Sequence, residues 1–389
     1  MNAPAAYLDY AATTPVAPEV AARMAECLTA EGAFGNPSSG SHAYGARAAA
    51  LVEAARAQVA ACVGAEPAEV IWTSGATEAN NLAIFGAAHY YRGSGNHIVT
   101  ARTEHKSVLD PCRELERRGW RVTYLSPGPD GVLQPGQIAA ALESETVLVS
   151  IMQVNNEIGA VQDVAAIAQV CAESGKARLH VDAAQSVGKV GLDFAALGVD
   201  LLSLSAHKVY GPKGIGALLV SRRRAVQLTP LLYGGGQERS LRSGTIATHQ
   251  AVGMGAAFAL AGVEAPGQIE RIGALRELLW RGISGLGGVH RNSEPSRSVP
   301  HILNVSFEGV EGESLLAAVS PRIAVSTGSA CTSAQREPSY VLRALGRDDR
   351  LAESSLRFSL GRYSTAADID TAVDAVTRAV TRLRRIGGA

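Results

Sequence analysis

Val199-Asp200-Leu201-Leu202-Ser203-Leu204-Ser205-Ala206-His207-Lys208 is an apolar run that closes on a histidine and a lysine and passes into Gly211-Pro212-Lys213-Gly214. A short apolar run bounded by turn formers reads as a buried strand. A lysine where such a strand ends is costly unless water or a chemical role takes up its amine. The chain has five lysines, at 106, 176, 189, 208 and 213, so the search for a reactive amine is short. Lys208 is the one flanked by small and hydrogen-bonding residues. Taken alone it is equally well a solvated lysine in a strand-to-loop turn, and the decision falls to the rest of the chain.

The same layout recurs upstream. Glu69-Val70-Ile71-Trp72 reads as a strand that runs into Thr73-Ser74-Gly75-Ala76-Thr77-Glu78 and a helical stretch to Tyr91. A strand, a glycine turn and a helix N-terminus make a favourable anion site, because free N–H groups and the helix dipole face one point. Thr77 reads also as a simple helix cap. Neither GxxxxGK[ST] nor GxGxxG is present, so nucleoside triphosphates and dinucleotides are disfavoured. His97-Ile98-Val99-Thr100 leads to Arg102-Thr103-Glu104-His105, Val147 to Met152 leads to Asn155-Asn156-Glu157, and Arg178-Leu179-His180-Val181 leads to Asp182-Ala183-Ala184-Gln185. Helical spacing lies between these strands, for instance over 106–118 and 164–173. Thr77, His105, Asn156, Asp182 and Lys208 thus collect at the carboxyl edge of one largely parallel sheet, where open α/β sheets bind ligands. A carboxylate such as Asp182 at a buried strand end should face a cation or a strong donor.

Three further stretches carry two readings each. Gly35-Asn36-Pro37-Ser38-Ser39-Gly40 is a plain turn or a loop that offers the Asn36 amide to a ligand. Gly234 to Thr245, rich in glycine, arginine and hydroxyls, is a flexible basic loop or a phosphate-binding one. Ser326-Thr327-Gly328-Ser329-Ala330-Cys331-Thr332-Ser333-Ala334 lacks apolar periodicity, which places Cys331 on a mobile, exposed loop. An exposed free thiol is a liability without a chemical role.

With 389 residues, 47% of them hydrophobic and 19% charged, the chain has the composition of an α/β protein with two domains or one large elaborated one. Its formal charge of zero points away from nucleic acid and anionic membranes. The N-terminus has no basic and apolar leader, and no apolar run approaches the roughly 20 residues that span a bilayer, so a cytoplasmic protein is expected. The five cysteines, at 27, 62, 112, 171 and 331, form no CxxC pair, which argues against disulfides and structural zinc. A second lobe begins near residue 265, with strands at 302–307, 323–325 and 354–360 and a closing amphipathic helix.

An amine, a strand-end carboxylate, a histidine, an anion site and an arginine in the second lobe have pyridoxal phosphate as their simplest shared ligand. A lysine forms its Schiff base, an aspartate keeps its pyridine nitrogen protonated, and a helix N-terminus takes its phosphate. The ordered series Tyr-Leu-Asp-Tyr-Ala-Ala-Thr-Thr-Pro, Gly-Asn-Pro-Ser-Ser, Thr-Ser-Gly-Ala-Thr-Glu, Thr-Glu-His-Lys, Val-Asn-Asn-Glu, His-Val-Asp-Ala-Ala-Gln, Ser-Ala-His-Lys, Arg-Ser-Gly-Thr and Gly-Ser-Ala-Cys-Thr-Ser resembles the cysteine desulfurases of the class V aminotransferase superfamily. The likeness covers nearly the whole chain, and the long loop around Cys331 is similar to the NifS/IscS branch.

That resemblance implies the type I fold of pyridoxal phosphate enzymes, aspartate aminotransferase-like. A large domain over 15–260 would hold a mainly parallel seven-stranded sheet, and a smaller α+β domain would comprise 1–14 and 261–389. It implies Lys208 as the Schiff-base lysine, Asp182 on the pyridine nitrogen, Gln185 on the ring hydroxyl and His105 stacked on the ring. Ala76, Thr77, Ser205 and His207 would hold the phosphate with Thr245 of a second subunit, in a homodimer. Asn156 would serve cofactor and substrate, with Asn36 and Arg357 also on the L-cysteine substrate, and Cys331 would accept its sulfur for an iron–sulfur scaffold or another acceptor protein. No resident metal is implied, although Cys331 is open to transient iron–sulfur ligation. Selenocysteine lyase, another class V reaction, and a low-turnover sulfur carrier are the alternatives. Ala206 departs from the family's usual glycine and would shift the strand end slightly. The chain also stops at Ala389 without the longer tail by which relatives contact their scaffold, which puts that contact in question.

Overall fold

The computed structural model describes residues 5–327 and 338–387, with the side chains of Glu264 and Pro266 left aside. A short β1 (Ala6–Tyr7) precedes the strands of the main sheet. These are β2 (Val70–Thr73), β3 (His97–Ala101), β4 (Arg121–Leu125), β5 (Thr146–Met152), β6 (Arg178–Asp182), β7 (Leu201–Ser205) and β8 (Gly216–Val220). They form one seven-stranded sheet in the order β2-β8-β7-β6-β5-β3-β4. All pairs are parallel except the two made by β8, which runs against both β7 and β2.

Both faces of this sheet are covered, which is why its central strands are continuous apolar runs. Successive residues point to opposite faces. Leu202 and Leu204 therefore enter a core with Val59, Val149 and Phe258. Leu201 joins Leu82, Ile98, Leu115 and Leu148 on the other side. The first core packs on the helix Ala43–Cys62 and the second on the helices Ala76–Tyr91 and Lys106–Arg117.

Beyond the sheet lie β9 (Val289–Arg291), β10 (Ile302–Phe307), β11 (Ile323–Ala324) and β12 (Ser355–Ser359). β12, β10 and β9 form an antiparallel sheet in that order, and β1 pairs with β11. Leu8, Val305, Phe307, Leu356, Phe358 and Ile369 make a separate core there. The periodicity suggests a helix over 248–261 followed by a further helical stretch, but Thr248–Ser284 is one helix of 37 residues. Its first half gives Ala251, Met254 and Phe258 to the main core, and its second half gives Ile272 and Leu279 to the small one. At the other end of the chain the sequence from Pro18 suggests a helix to Ala30, but the helix is Pro18–Ala25. There the backbone folds back so that Ala33 N donates to Glu26 O at 2.9 Å.

Two features place the Lys208 turn. Because β8 returns antiparallel, residues 206–215 need no crossover helix and fold directly over the end of the sheet. Ala206 is fully buried, and a Cβ built on Gly211 would stand 2.9 Å from its carbonyl oxygen and 3.0 Å from its methyl. Gly211 thus leaves the room that the Ala206 methyl fills. Among the described residues no helix is long and apolar enough to cross a membrane, and no group of three or more histidine, cysteine or acidic side chains is placed to hold a metal.

Gly216 sets how closely the Gly75 turn approaches the sheet, since a Cβ there would lie 2.4 Å from Leu204 O and 2.7 Å from Gly75 Cα. Both obstacles are backbone. Gly216→Ala is expected to cost about 1–3 kcal/mol of stability, read as a lower urea midpoint at unchanged m-value.

Candidate active site

A cavity of about 510 Å³ opens at the carboxyl ends of the parallel strands. Of the residues singled out from the sequence, Lys208, Asp182, His105, Gln185 and Arg357 all line it. So do Ala76, Thr77, Asn156, Ser205 and His207. Asn36 and Thr245 do not line it within one chain; the Asn36 Oδ1 instead accepts from Ser38 N at 2.9 Å in its own turn. Cys331, with the loop expected to be exposed and mobile, lies outside the described residues.

Lys208 ends a single 3-10 turn, Ala206–Lys208, directly after β7. Its Nζ donates to Ala11 O and to Ala12 O, each at 2.7 Å. The amine therefore sits between the N-terminal arm and the sheet. Gln185 Nε2 donates to the same Ala11 O at 2.8 Å, so one carbonyl registers both side chains. His207 lies beside them with Nδ1 at 3.1 Å from Thr13 Oγ1. Burial, and then the charges of Lys208, Lys213 and Lys189, push the His207 imidazole down to about 4, so it is neutral near pH 7.

Asp182 terminates β6 and is 6% exposed. Its Oδ1 accepts from Ala184 N at 2.9 Å and its Oδ2 from Asn80 Nδ2 at 2.7 Å. Asn80 also donates to Ser107 Oγ at 2.8 Å, and that hydroxyl lies 2.8 Å from His105 Nδ1. His105 caps the helix Lys106–Arg117, taking Ser107 N onto Nδ1 at 3.1 Å. A backbone N–H can only donate, so the proton of the neutral ring is on Nε2. Burial lowers the His105 pKa and Lys208 adds to this, with Asp182 opposing. The histidine is therefore both the cap of its helix and an imidazole with a fixed tautomer.

The helix Ala76–Tyr91 starts at the cavity with Gly75 as its N-cap, at φ +150°, and no side chain caps it. Its first N–H groups are thereby left to a ligand. On the opposite wall Arg357 of β12 is 4% exposed, with one guanidinium nitrogen donating to Asn156 O and another to Asp9 Oδ1, each at 2.8 Å. These two contacts hold the fork rigid where it meets the cavity.

Several residues essential to this arrangement carry no signal in the sequence. Asn80 and Ser107 sit on helices like any polar helical residue, and only the fold brings them to Asp182 and His105. The carbonyls of Ala11 and Ala12 are invisible to a reading of side chains. Glu104 and Glu157 are buried acids beside the cavity. Burial raises Glu104 well above the usual carboxylate range, with Asp182 acting in the same direction and a bond from Met152 N opposing. Burial pushes Glu157 up to about 7, while Ser339 Oγ donates to it at 2.5 Å. A strand-end Glu following two asparagines was the available hint for Glu157.

An α/β fold with this sheet and a strand-end amine and carboxylate over a helix N-terminus defines a type I pyridoxal phosphate architecture. The chain belongs to the class-V aminotransferase family, whose profile matches residues 6–372. It is 57% identical over 380 residues to the cysteine desulfurase IscS of Aeromonas hydrophila, covering 98% of this chain and 94% of that protein. A solved NifS-like protein superposes with a TM-score of 0.91 at 34% identity, over 97% of this chain and 100% of the other. A structure described as SspA in complex with cysteine gives a TM-score of 0.81 at 38% identity, over 92% and 99% of the two chains.

Pyridoxal phosphate is the cofactor of this family, and the residues present fit it. The cavity is large enough for the ring and a substrate, Asp182 keeps acceptor capacity beyond its two bonds, and the uncapped helix supplies N–H donors.

Glu157 makes the site sensitive to pH. Its pKa is above the unfolded value, so between about pH 4.5 and 7 the native state keeps a proton that the unfolded chain loses, and stability falls as pH rises through that window. Glu157→Gln is expected to remove that fall, which amounts to a few kcal/mol at most. Urea titrations at several pH values between 4.5 and 8 check this.

Proposed function

We propose that this protein is a cysteine desulfurase that takes sulfur from L-cysteine, releases L-alanine and passes the sulfur through a persulfide on Cys331. The observation that carries the proposal is the convergence on one cavity of a lysine amine, a buried carboxylate at a strand end and a rigid arginine fork. This is the set needed to hold a pyridine ring and an amino acid together.

When bound, the cofactor supplies an electron sink for the carbon atoms of the amino acid. Lys208 would hold it, and its amine would take the proton from the substrate Cα. Asp182, fixed by Asn80, would accept the N–H of the pyridine ring and so favour its protonated form. The Gln185 amide donates to the ring oxygen, and Ala76, Thr77, Ser205 and His207 take the phosphate. His105, whose Nδ1 is taken by Ser107 N, would lie against the ring and carry its proton on Nε2. Arg357 clamps the substrate carboxylate by two parallel bonds, with Asn156 alongside. The thiolate of Cys331 attacks the substrate sulfur; an S–S bond forms, the C–S bond breaks, and its electron pair stays on the carbon side, which is protonated to alanine.

The chain on either side of residues 328–337 supports the role of Cys331. Ser326 pairs with Arg357 through backbone bonds of 2.7 and 3.3 Å, and Ser339 is bonded to Glu157. In the sequence Cys331 follows Ser326 by five positions.

The proposal extends to a homodimer in which Thr245 completes the phosphate site of the other subunit, and to Asn36 as a contact of the substrate. The domain division at 15–260 against 1–14 and 261–389 belongs to the same reading, with the Cys331 loop belonging to the small domain. The receiver of the sulfur is an iron–sulfur scaffold or another acceptor protein.

Lys208→Ala is expected to lose the visible absorbance of bound pyridoxal phosphate together with turnover. Cys331→Ser is expected to keep the absorbance while sulfide release from L-cysteine drops to background; sulfide release at the full rate would overturn the assignment of Cys331. Arg357→Lys is expected to raise KM for L-cysteine by roughly 10- to 100-fold, because one ammonium cannot replace a bidentate fork; steady-state kinetics checks it.

A further inference from the structure

Lys189 is not among the residues lining the large cavity, and it follows the chemically obvious motif by only four positions. Its Nζ donates to Gln185 Oε1 at 2.5 Å. That bond settles which way the amide points. With Oε1 turned to the amine, Nε2 faces the arm and donates to Ala11 O at 2.8 Å, the carbonyl that also accepts from Lys208 Nζ. The order Lys189, Gln185, Ala11 O, Lys208 is therefore a continuous chain of hydrogen bonds joining the two lysines.

The two amines also share a second, small cavity of about 30 Å³, enough for a water molecule, on the inner side of the site. Tyr10, Tyr210, His301 and Arg362 line it with them, and no described residue lining it is a carboxylate. Burial pushes both tyrosines up to about 12 and His301 down to about 3, so none of these three offers Lys189 an opposite charge. Lys189 as a residue is only half-buried, but its amine is enclosed. Burial, then the charges of Lys208 and Arg357, bring it down to about 7.

From this geometry we propose that Lys189 is a positioning residue for the cofactor site: it orients the Gln185 amide so that Nε2 is offered to the ring oxygen, and it places a second amine where its charge opposes protonation of the group formed at Lys208. The inference rests on the cofactor reading given above. A like charge close by disfavours the protonated form of a base. The charge of Lys189 thus keeps the Lys208 linkage deprotonated to lower pH, and it favours an anionic ring oxygen at Gln185. A lysine that merely filled space would do neither.

The test is a pH titration of the visible absorbance of the pyridoxal phosphate-loaded protein, with Lys189→Met and Lys189→Gln beside the wild type. Both variants lose the charge, and Lys189→Gln keeps a polar donor against Gln185 should the methionine prove poorly folded. The midpoint of the absorbance change is expected to rise by about half a pH unit or more in each, and the acid limb of kcat/KM against pH to move the same way. Wild-type protein that develops no visible absorbance with pyridoxal phosphate overturns the cofactor reading itself. Coloured variants whose midpoint coincides with that of the wild type overturn only the role of Lys189.

Discussion

A lysine amine at the end of a buried strand has to be met by acceptors, and here two backbone carbonyls, those of Ala11 and Ala12, meet it. Everything else at the site takes its position from that contact. The arm that carries them is held at one end by the small sheet, where Ala11 N donates to Ser359 Oγ at 2.9 Å and Tyr10 N to Ser359 O at 3.2 Å. At the other end Thr14 N and Thr14 Oγ1 both donate to His207 O, and Tyr210 N donates to Thr14 Oγ1. The arm thus bridges the two sheets and is fixed to the very turn that contains Lys208. A shift between the sheets would pull directly on the amine.

The electrostatics of the site follow from unequal numbers of charges. Lys208, Lys189, Lys213 and Arg357 surround a region whose carboxylates are Asp182 and Glu78 in the cavity lining and Asp9 paired with Arg357. An excess of positive charge, with the uncapped end of the helix Ala76–Tyr91, suits a ligand that carries a phosphate and a carboxylate. Burial first and then these lysine charges hold the His207 imidazole neutral, and burial lowers that of His105. The buried acids Glu104 and Glu157 sit behind this layer, where burial keeps the proton on longer than water would.

Much of the fold was legible because a buried parallel sheet writes itself plainly. The apolar runs ending at Met152, Asp182 and Ser205 match their strands within a residue or two, as the helical spacing over 106–118 and 164–173 matches the helices Lys106–Arg117 and Val164–Glu173. The misreadings have physical causes. The helix Thr248–Ser284 serves two cores in succession, so its apolar face changes partner midway and reads as two helices. The first helix is cut short where Gly32 lets the chain fold back on Glu26 O, an approach that a side chain at 32 would block. Ala206, suspected of shifting the strand end, is accommodated because Gly211 across from it has no side chain.

The sequence by itself determined the positions of the polar strand ends, because the alternation of apolar runs with helical spacing forces Thr77, His105, Asn156, Asp182 and Lys208 to one edge of the sheet. The tertiary structure alone decided how each of them is held. Asn80 meets Asp182 across 102 positions, Lys208 meets Ala11 across 197, and Arg357 meets Asp9 across 348. Lys189 stands only 4 positions from Gln185, yet its pairing too depends on a turn that encloses the amine. Side-chain type and local period report whether a residue is buried. They carry no record of which donor faces which acceptor once the chain has closed on itself.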